Sequence, residues 1–205
     1  DNTYVTEVVI LGCVLEDGNP NLDIQTGTDV KISNCYFENG ATKRGEHIKI
    51  TNPSGLGVPN VEISNSRFAR TNNTTKPVIS MNAGNLKLCG NKFTDAGTYQ
   101  YALYITGGDE VEINSNTIYG GATGTIYVEG LSHFVCSGNT IRYTTGWGVE
   151  SIIARSIITD NKICGDGKDG GGIKVSNDLC VIVGNEIYQV ARTRILVDVG
   201  ADYAI

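Results

Sequence analysis

The chain has 205 residues, of which 40% are hydrophobic and 19% are charged, and its formal net charge is −6 at pH 7. An acidic chain is a poor match for nucleic acid, because phosphate backbones bind basic surfaces. No apolar run is long enough to cross a bilayer. We therefore expect neither a nucleic-acid partner nor insertion into a membrane.

An eight-residue pattern of alternating apolar residues returns along the chain. In chain order the copies are VVILGCVL (8–15), VKISNCYF (30–37), VEISNSRF (61–68), LKLCGNKF (86–93), VEINSNTI (111–118), FVCSGNTI (134–141), SIITDNKI (156–163) and CVIVGNEI (180–187). The alternation predicts half-buried strands. Successive copies begin 22 to 31 residues apart. Such a period is typical of a solenoid, because one unit cannot bury its apolar face alone.

A second strand pattern follows each copy. In chain order these segments are NLDIQ (21–25), HIKIT (47–51), VISMN (78–82), YALYITG (101–107), TIYVEG (125–130), GVESIIA (148–154), GIKVSN (172–177) and ILVDVG (195–200). Two or three short strands per repeat are typical of a parallel β-helix.

The sequence therefore predicts an all-β fold, a right-handed single-stranded parallel β-helix of about eight coils, with residues 1–205 as one domain. The right hand follows from the general hand of parallel crossover connections. Few residues flank the repeats to cap the apolar stack. We expect a piece of a longer chain, or ends that neighbouring subunits cover.

The sixth position of the repeat forms a column of amide and other small side chains. Its residues are Cys13, Cys35, Ser66, Asn91, Asn116, Asn139, Asn161 and Asn185. An Asn at a buried bend can hydrogen-bond to the backbone and to the Asn of the next coil. The column is therefore predicted to be structural.

The six cysteines fit neither a zinc site nor a disulfide scaffold, because the chain has no Cys-x-x-Cys pair and no Cys/His cluster. Cys13, Cys35, Cys136 and Cys180 fall at inward positions of different coils. Cys13 and Cys35 occupy the same repeat position in adjacent coils, which is close enough for a disulfide bond. We nevertheless expect both to be buried free thiols.

The repeat V-x-I-x-x-N-x-I/F, followed by G-I-x-V, resembles the right-handed β-helix repeats of the pectin-lyase-like superfamily. It is most similar to the β-helix segment of a bacteriophage tailspike or polysaccharide depolymerase. The resemblance implies a polysaccharide partner, hydrolysis or β-elimination of that polysaccharide, a homotrimer, and a location in a virion tail or outside the cell. The repeat encodes coil packing and not chemistry. A carbohydrate- or receptor-binding β-helix without turnover and a structural shaft or adhesin therefore remain open.

Motifs of enzymes in that superfamily are incomplete in this chain. His133 stands in Ser-His-Phe where polygalacturonase-like enzymes have Gly-His-Gly, and there is no Asp-Asp pair. Asp166 and Asp169 are acidic, as a pectate lyase site would be, but their spacing matches no calcium loop. No metal or cofactor is predicted, with calcium expected only if the chain is a lyase.

The outward positions of the second strand are the candidate site. Counting a fixed offset from the ladder predicts one column of Asp23, Lys49, Ser80, Tyr104, Glu129, Ile152, Lys174 and Asp198. A flanking column contains Tyr127 and Glu150. Glu129 and Glu150 are thus predicted on neighbouring coils, two residues apart, where one carboxyl group would act as general acid and the other would activate water.

Lys174 and Asp198 complete the predicted catalytic group, as the base and a cation-binding residue of a lyase. Tyr104, Tyr127 and Trp147 are predicted to bind substrate, since aromatic faces pack on sugar rings. Further aromatic residues of these coils are Tyr99, Tyr101 and Tyr143. The alternative is that outward charges only keep the strands soluble and that Tyr favours strands in general.

Overall fold

The computed structural model describes residues 7–25, 29–39, 46–53, 59–70, 76–94, 100–153, 155–165, 169–176 and 179–198. Within these residues, strands form three parallel sheets of eight strands each. Each coil contributes one strand to each sheet, so the predicted β-helix is confirmed and the predicted number of about eight coils is close. No helix of the described residues is long and apolar enough to cross a membrane.

The first half of each sequence repeat forms sheet 1. Its strands are β1 (Glu7–Leu11), β4 (Asp29–Ser33), β7 (Asn60–Ser64), β10 (Asn85–Cys89), β13 (Glu110–Asn114), β16 (His133–Ser137), β19 (Ser156–Thr159) and β22 (Cys180–Val183).

The second half of each repeat forms sheet 2, after a short turn. Its strands are β2 (Val14–Glu16), β5 (Tyr36–Asn39), β8 (Arg67–Arg70), β11 (Lys92–Thr94), β14 (Thr117–Tyr119), β17 (Thr140–Thr144), β20 (Lys162–Gly165) and β23 (Glu186–Tyr188).

The second strand pattern forms sheet 3. Its strands are β3 (Leu22–Ile24), β6 (Ile48–Ile50), β9 (Ile79–Met81), β12 (Leu103–Ile105), β15 (Ile126–Glu129), β18 (Trp147–Ile152), β21 (Gly171–Val175) and β24 (Ile195–Val197).

The core runs along the axis of the solenoid, because alternate residues of every strand point inward and stack on the same position of the next coil. The rings of Phe37, Phe68 and Phe93 show this stacking, with centroids 4.8 Å and 4.7 Å apart. All three rings are buried. Stacked rings add attraction to the burial of apolar area, so the column stabilises the coil spacing.

The predicted asparagine ladder is confirmed at the corner between sheets 1 and 2. The side-chain amide of Asn91 donates to Asn116 Oδ1 at 3.0 Å, Asn116 donates to Asn139 at 3.0 Å, and Asn139 donates to Asn161 Oδ1 at 2.9 Å. Asn161 continues the ladder to Asn185 at 3.0 Å. Amides that are satisfied in this way fix the corner in the coils from Asn91 to Asn185.

The residue before each ladder position has a left-handed backbone, which makes the corner a tight turn. Ser115 has φ of 57° and Asp160 has φ of 56°, whereas Gly90 and Gly138 supply the same geometry at 67° and 65°. Glycine adopts this region without a steric penalty.

The described thiols are all free. Cys35, Cys136 and Cys180 are buried, as predicted, but Cys13 is exposed. The expectation of a buried thiol at Cys13 is wrong, because β2 is an edge strand of sheet 2 and no earlier described coil covers it.

Candidate functional site

Strand pairing in sheet 3 places eight outward residues in one row, which we call the central column. From the first coil to the last it contains Asp23, Lys49, Ser80, Tyr104, Tyr127, Glu150, Lys174 and Leu196. Neighbouring members are about 4.8 Å apart, the spacing of paired strands.

The predicted membership of this column was wrong for Glu129, Ile152 and Asp198. Glu129 pairs with Ile152, and Asp198 lies two residues beyond Leu196, which pairs with Lys174. Both carboxylates therefore belong to a parallel row, displaced by two residues from the central column.

The physical cause is a variable loop between sheets 2 and 3. Leu103 follows Asn91 by 12 residues, whereas its strand partner Ile126 follows Asn116 by 10. A shift by two residues leaves every side chain on the same face of the sheet, since side chains alternate with a period of two. The apolar pattern therefore predicts correctly which face each side chain is on, but it does not reveal a shift of the register by two residues.

The predicted relation between Glu129 and Glu150 is correct. Tyr127 pairs with Glu150 across β15 and β18, and Glu129 lies two residues after Tyr127. Both carboxylates are half-buried on the outer face of sheet 3.

Three tyrosines, which we call the tyrosine stack, pack together at this face, where Tyr104 and Tyr127 are half-buried and Tyr101 is buried. The rings of Tyr104 and Tyr127 are stacked with centroids 5.1 Å apart, and Tyr101 lies 5.4 Å from Tyr104 and 5.6 Å from Tyr127. Burial raises the pKa of Tyr101. The sequence pointed to aromatic residues in these coils but did not assign Tyr101 to the site. Alternation gives no signal for it, because a residue two positions before the inward Leu103 is predicted on the inner face of the sheet.

Tyr127 links the stack to the first carboxylate. Its hydroxyl donates to Glu129 Oε2 at 2.6 Å. Burial, followed by this hydrogen bond, raises the pKa of Tyr127. The hydroxyl therefore stays protonated at neutral pH and remains a donor to Glu129.

The second carboxylate is paired with a lysine. Lys174 Nζ donates to Glu150 Oε1 at 3.0 Å and lies 3.8 Å from Asp198 Oδ2. The side chains of Glu150 and Lys174 are only 16% and 23% exposed. The hydrogen bond that Lys174 donates to Glu150 raises the pKa of Lys174, although burial opposes this rise. Ser176 Oγ also donates to Asp198 Oδ2, at 2.9 Å.

Trp147 lies beside these residues at the start of β18 and pairs with Gly171. Its ring rests on that glycine, since a Cβ atom at Gly171 would be 2.4 Å from Trp147 Cε3. No ring contact joins Trp147 to the tyrosine stack within the described residues. The structure therefore brings Tyr104, Tyr127, Glu129 and Glu150 together and leaves Trp147 at the side.

A groove of about 420 Å³ continues from the tyrosine stack towards the earlier coils. The polar residues that line it are Glu46, Lys49, Thr51, Lys76, Ser80, Asn82, Gln100, Tyr104 and Thr106. The sequence indicated its central members Lys49 and Ser80, but the neighbouring loop residues carry no periodic signal.

A family model described as the right-handed β-helix region matches residues 2–187. The chain belongs to this family. The comparisons with curated proteins and with solved structures found no match. Membership in the right-handed β-helix family explains the coils and the ladder, and the side chains on the outer faces must carry the argument for function.

The described residues contain no group of three or more His, Cys, Asp or Glu side chains that could hold a metal ion. Asp166, Tyr99 and the side chain of Tyr143 lie outside the described part of the chain. The calcium expectation for a lyase at Asp166 and Asp169 therefore stays a prediction.

Proposed function

We propose that the outer face of sheet 3 binds an extended polysaccharide. The tyrosine stack carries this proposal, because Tyr104 and Tyr127 leave part of their aromatic surface exposed, and aromatic surface packs against the C–H groups of sugar rings. Glu129 and the Glu150–Lys174 pair lie next to the stack and offer acceptors and a donor to sugar hydroxyls. Aromatic surface with a few convergent polar groups is typical of a ligand site.

The shape of this face also favours a polymer. From Lys49 to Lys174 the central column crosses five strand intervals, a length of roughly 24 Å. The groove at one end and the ion pair at the other lie along this line. An open track of this length suits several sugar units in a row better than one small molecule.

Binding to a panel of immobilised polysaccharides tests the proposal. Replacing Tyr104 or Tyr127 by Ala removes part of the tyrosine stack, and we expect affinity to fall about tenfold, from a loss of ~1.5 kcal/mol. Tyr188→Ala is the matched control, since Tyr188 lies on sheet 2 in the last coil. Equal affinities for the three variants and the parent would refute binding at the tyrosine stack.

A second candidate function is depolymerisation of the same polysaccharide. Its support is the placement of Glu129 and Glu150 on neighbouring strands beside the tyrosine stack. In a hydrolase one carboxyl group protonates the leaving oxygen and the other activates water. Glu129→Gln and Glu150→Gln, made singly, should reduce the release of reducing ends by roughly 100-fold or more and preserve binding. Unchanged release in both variants contradicts this assignment.

A lyase would require a base, the role predicted for Lys174. The pKa of Lys174 is raised by Glu150, so the amine is protonated at neutral pH, and proton abstraction would require Glu150 to be displaced. Ultraviolet absorbance from an unsaturated product, with and without added calcium, distinguishes the lyase from the hydrolase. A parent protein that binds the polysaccharide and releases no product is a binding module or a shaft.

We also propose a tailspike-like homotrimer, located in a virion tail or outside the cell. The support is the resemblance of the repeat to tailspike β-helices, and large apolar side chains are also exposed on the first and last described coils. They are Val9, Leu11, Val14, Leu179, Val181, Val183 and Ile195. Apolar patches of this kind are typical of surfaces that are covered, by another chain or by further coils of the same chain. Light scattering tests the trimer, and a stable monomer at micromolar concentration contradicts it.

A further inference from the structure

Charge is unevenly distributed among the three outer faces of the solenoid. The eight strands of sheet 2 contain five Lys or Arg residues and three carboxylates, and the carboxylates lie in β2, β5 and β23 at the two ends of the sheet, so that strands β8, β11, β14, β17 and β20 contain no Asp or Glu. The described strands of sheet 1 contain five carboxylates and two lysines. Those of sheet 3 contain three carboxylates and two lysines. A chain with a net charge of −6 thus has one positive face.

Four outward cations of these strands define what we call the basic face. They are Arg67, Lys92, Arg142 and Lys162, all exposed. Hydroxyl groups occupy the outward positions between them. These belong to Thr94, Thr117, Tyr119 and Thr140.

Arg67 and Lys92 lie directly opposite each other on paired strands. Like charges in this position destabilise a sheet, because no counter-charge separates them. On the other side Lys92 pairs with Thr117, which is neutral. Arg67 lies over the ring of Tyr36, 5.6 Å from its centroid. This ring is neutral and does not cancel the positive charge of Arg67.

Of the four lysines in the described strands of sheets 1 and 3, three form ion pairs, and no ion pair is found for Lys49. On sheet 1, Lys31 pairs with Glu7 at 2.7 Å and Lys87 pairs with Glu112 at 3.1 Å. Within the described residues no ion pair reaches Lys92 or Arg142. Lys162, at the edge of the face, is 3.5 Å from Glu186, which marks where the positive region ends.

We propose that the basic face binds the sulfate or carboxylate groups of an acidic glycan. From β8 to β20 it crosses four strand intervals, roughly 19 Å, with one cation on most coils. A glycan with one anionic group per sugar or two matches such dispersed cations, and its hydroxyls match the threonines. This surface is on a different sheet from the tyrosine stack, so the inference does not rest on the function proposed above.

Nucleic acid fits the same surface less well. Duplex DNA carries one charge per ~1.7 Å of axis, much denser than the cations of the basic face. The carboxylates of the neighbouring sheets repel so dense a polyanion more strongly than a glycan with dispersed charges.

The test measures the affinity of the full chain for heparin, which carries sulfate and carboxylate, for hyaluronan, which carries carboxylate alone, and for single-stranded DNA. Arg67→Gln with Lys92→Gln removes two cations from the basic face. Lys31→Gln with Lys87→Gln is the matched control, because it changes the net charge equally on sheet 1. Circular dichroism and thermal unfolding verify that both double variants are folded.

We expect the parent to bind heparin more weakly as salt increases. The sheet 2 variant should bind about tenfold more weakly, since two exposed ion pairs are lost, whereas the sheet 1 variant should bind as the parent does. Binding of hyaluronan as well assigns the interaction to carboxylate, and binding of heparin alone assigns it to sulfate. Equal loss in both double variants, no binding by the parent at low salt, or tighter binding of DNA than of heparin overturns the proposal.

Discussion

Lys174 donates a hydrogen bond to Glu150 across the paired strands β18 and β21, with Nζ and Oε1 3.0 Å apart. In the central column this pair comes directly after Tyr104 and Tyr127 of the tyrosine stack. Because less than a quarter of either side chain is exposed, solvent screens this pair less than a surface ion pair. The contact therefore orients Glu150 beside Tyr127 and contributes to the stability of the late coils.

A double-mutant cycle measures that contribution. We expect Lys174→Met and Glu150→Gln each to destabilise the fold, with a coupling free energy of about 1 kcal/mol in urea unfolding near pH 7. The raised pKa of Lys174 means that this stabilisation is complete below 10.5, the ordinary value for lysine, and is lost as pH rises through the higher value of the folded state. The Lys31 and Glu7 pair, in which both side chains are about half exposed, is the control and should show weaker coupling. Additive effects at positions 174 and 150 would contradict a stabilising pair.

The asparagine ladder makes the next prediction. Asn139→Leu removes a buried amide that donates to the carbonyl of Ile113 at 2.7 Å and to Asn161 Oδ1 at 2.9 Å. Its neighbours then lose their partners inside the core, so we expect a loss of roughly 1–3 kcal/mol in the free energy of unfolding. Asn60→Leu is the control, because Asn60 is exposed and its bond to Asp29 faces solvent. Similar losses in the free energy of unfolding at the two positions would show that the ladder does not stabilise the fold through its burial.

The ladder could be predicted from sequence because each member lies at a fixed position of a local turn. The register of sheet 3 could not, since the loops between Asn91 and Leu103 and between Asn116 and Ile126 differ by two residues. Apolar alternation repeats every two residues and gives the same pattern before and after such a shift. The rows to which Glu129 and Asp198 belong could therefore be assigned only from the strand pairing of the structure.

The basic face was missed for a different reason. Its cations are about one coil apart in sequence, so no local window contains two of them. Arg67, Lys92 and Lys162 nevertheless share the seventh position of the repeat, immediately after the ladder residue. An alignment of the repeats on the ladder residue would have shown these cations together at the seventh position. The negative net charge of the chain gives no sign of them.

The packing of Trp147 on Gly171 gives a prediction with a spectroscopic readout. A methyl group at Gly171 would lie 2.4 Å and 2.5 Å from Cε3 and Cζ3 of the indole, so Gly171→Ala must displace the ring. Trp147 is the only tryptophan in the chain, and its emission reports this movement directly. We expect a red shift, together with weaker binding if Trp147 contacts the polysaccharide.

The control for this substitution is Gly138→Ala. Gly138 lies in a turn, and an added methyl group there would be 3.6 Å from its nearest neighbour, Ser115 Oγ. That variant should lose some stability because its φ is 65°, but its emission should be that of the parent. An unchanged spectrum for Gly171→Ala contradicts the contact, and a shifted spectrum with unchanged affinity removes Trp147 from the binding site.

The last prediction concerns the buried thiol of Cys136. Complete burial raises its pKa from 9.0 to about 12, although Asn139 opposes the shift with a hydrogen bond to the sulfur at 3.3 Å. A thiol reacts through its thiolate. We therefore expect iodoacetamide at about pH 8 to spare Cys136 in the folded protein and to modify Cys89, which is exposed. Mass spectrometry of tryptic peptides measures both sites, and rapid modification of Cys136 in a folded sample would contradict its burial.

The same shift predicts how stability depends on pH. Above about pH 9 the unfolded chain releases the Cys136 proton while the folded chain retains it, so ionisation favours unfolding until the pH reaches the folded-state value. The contribution of Cys136 is thus complete below 9.0 and decreases up to about 12. Cys136→Ala has no group to ionise there, and every other titrating residue is common to both proteins. The stability difference between the parent and Cys136→Ala should therefore narrow by roughly 1–2 kcal/mol between about pH 8 and about pH 10.5. A constant difference in urea unfolding would mean that the thiol ionises alike in the folded and unfolded states.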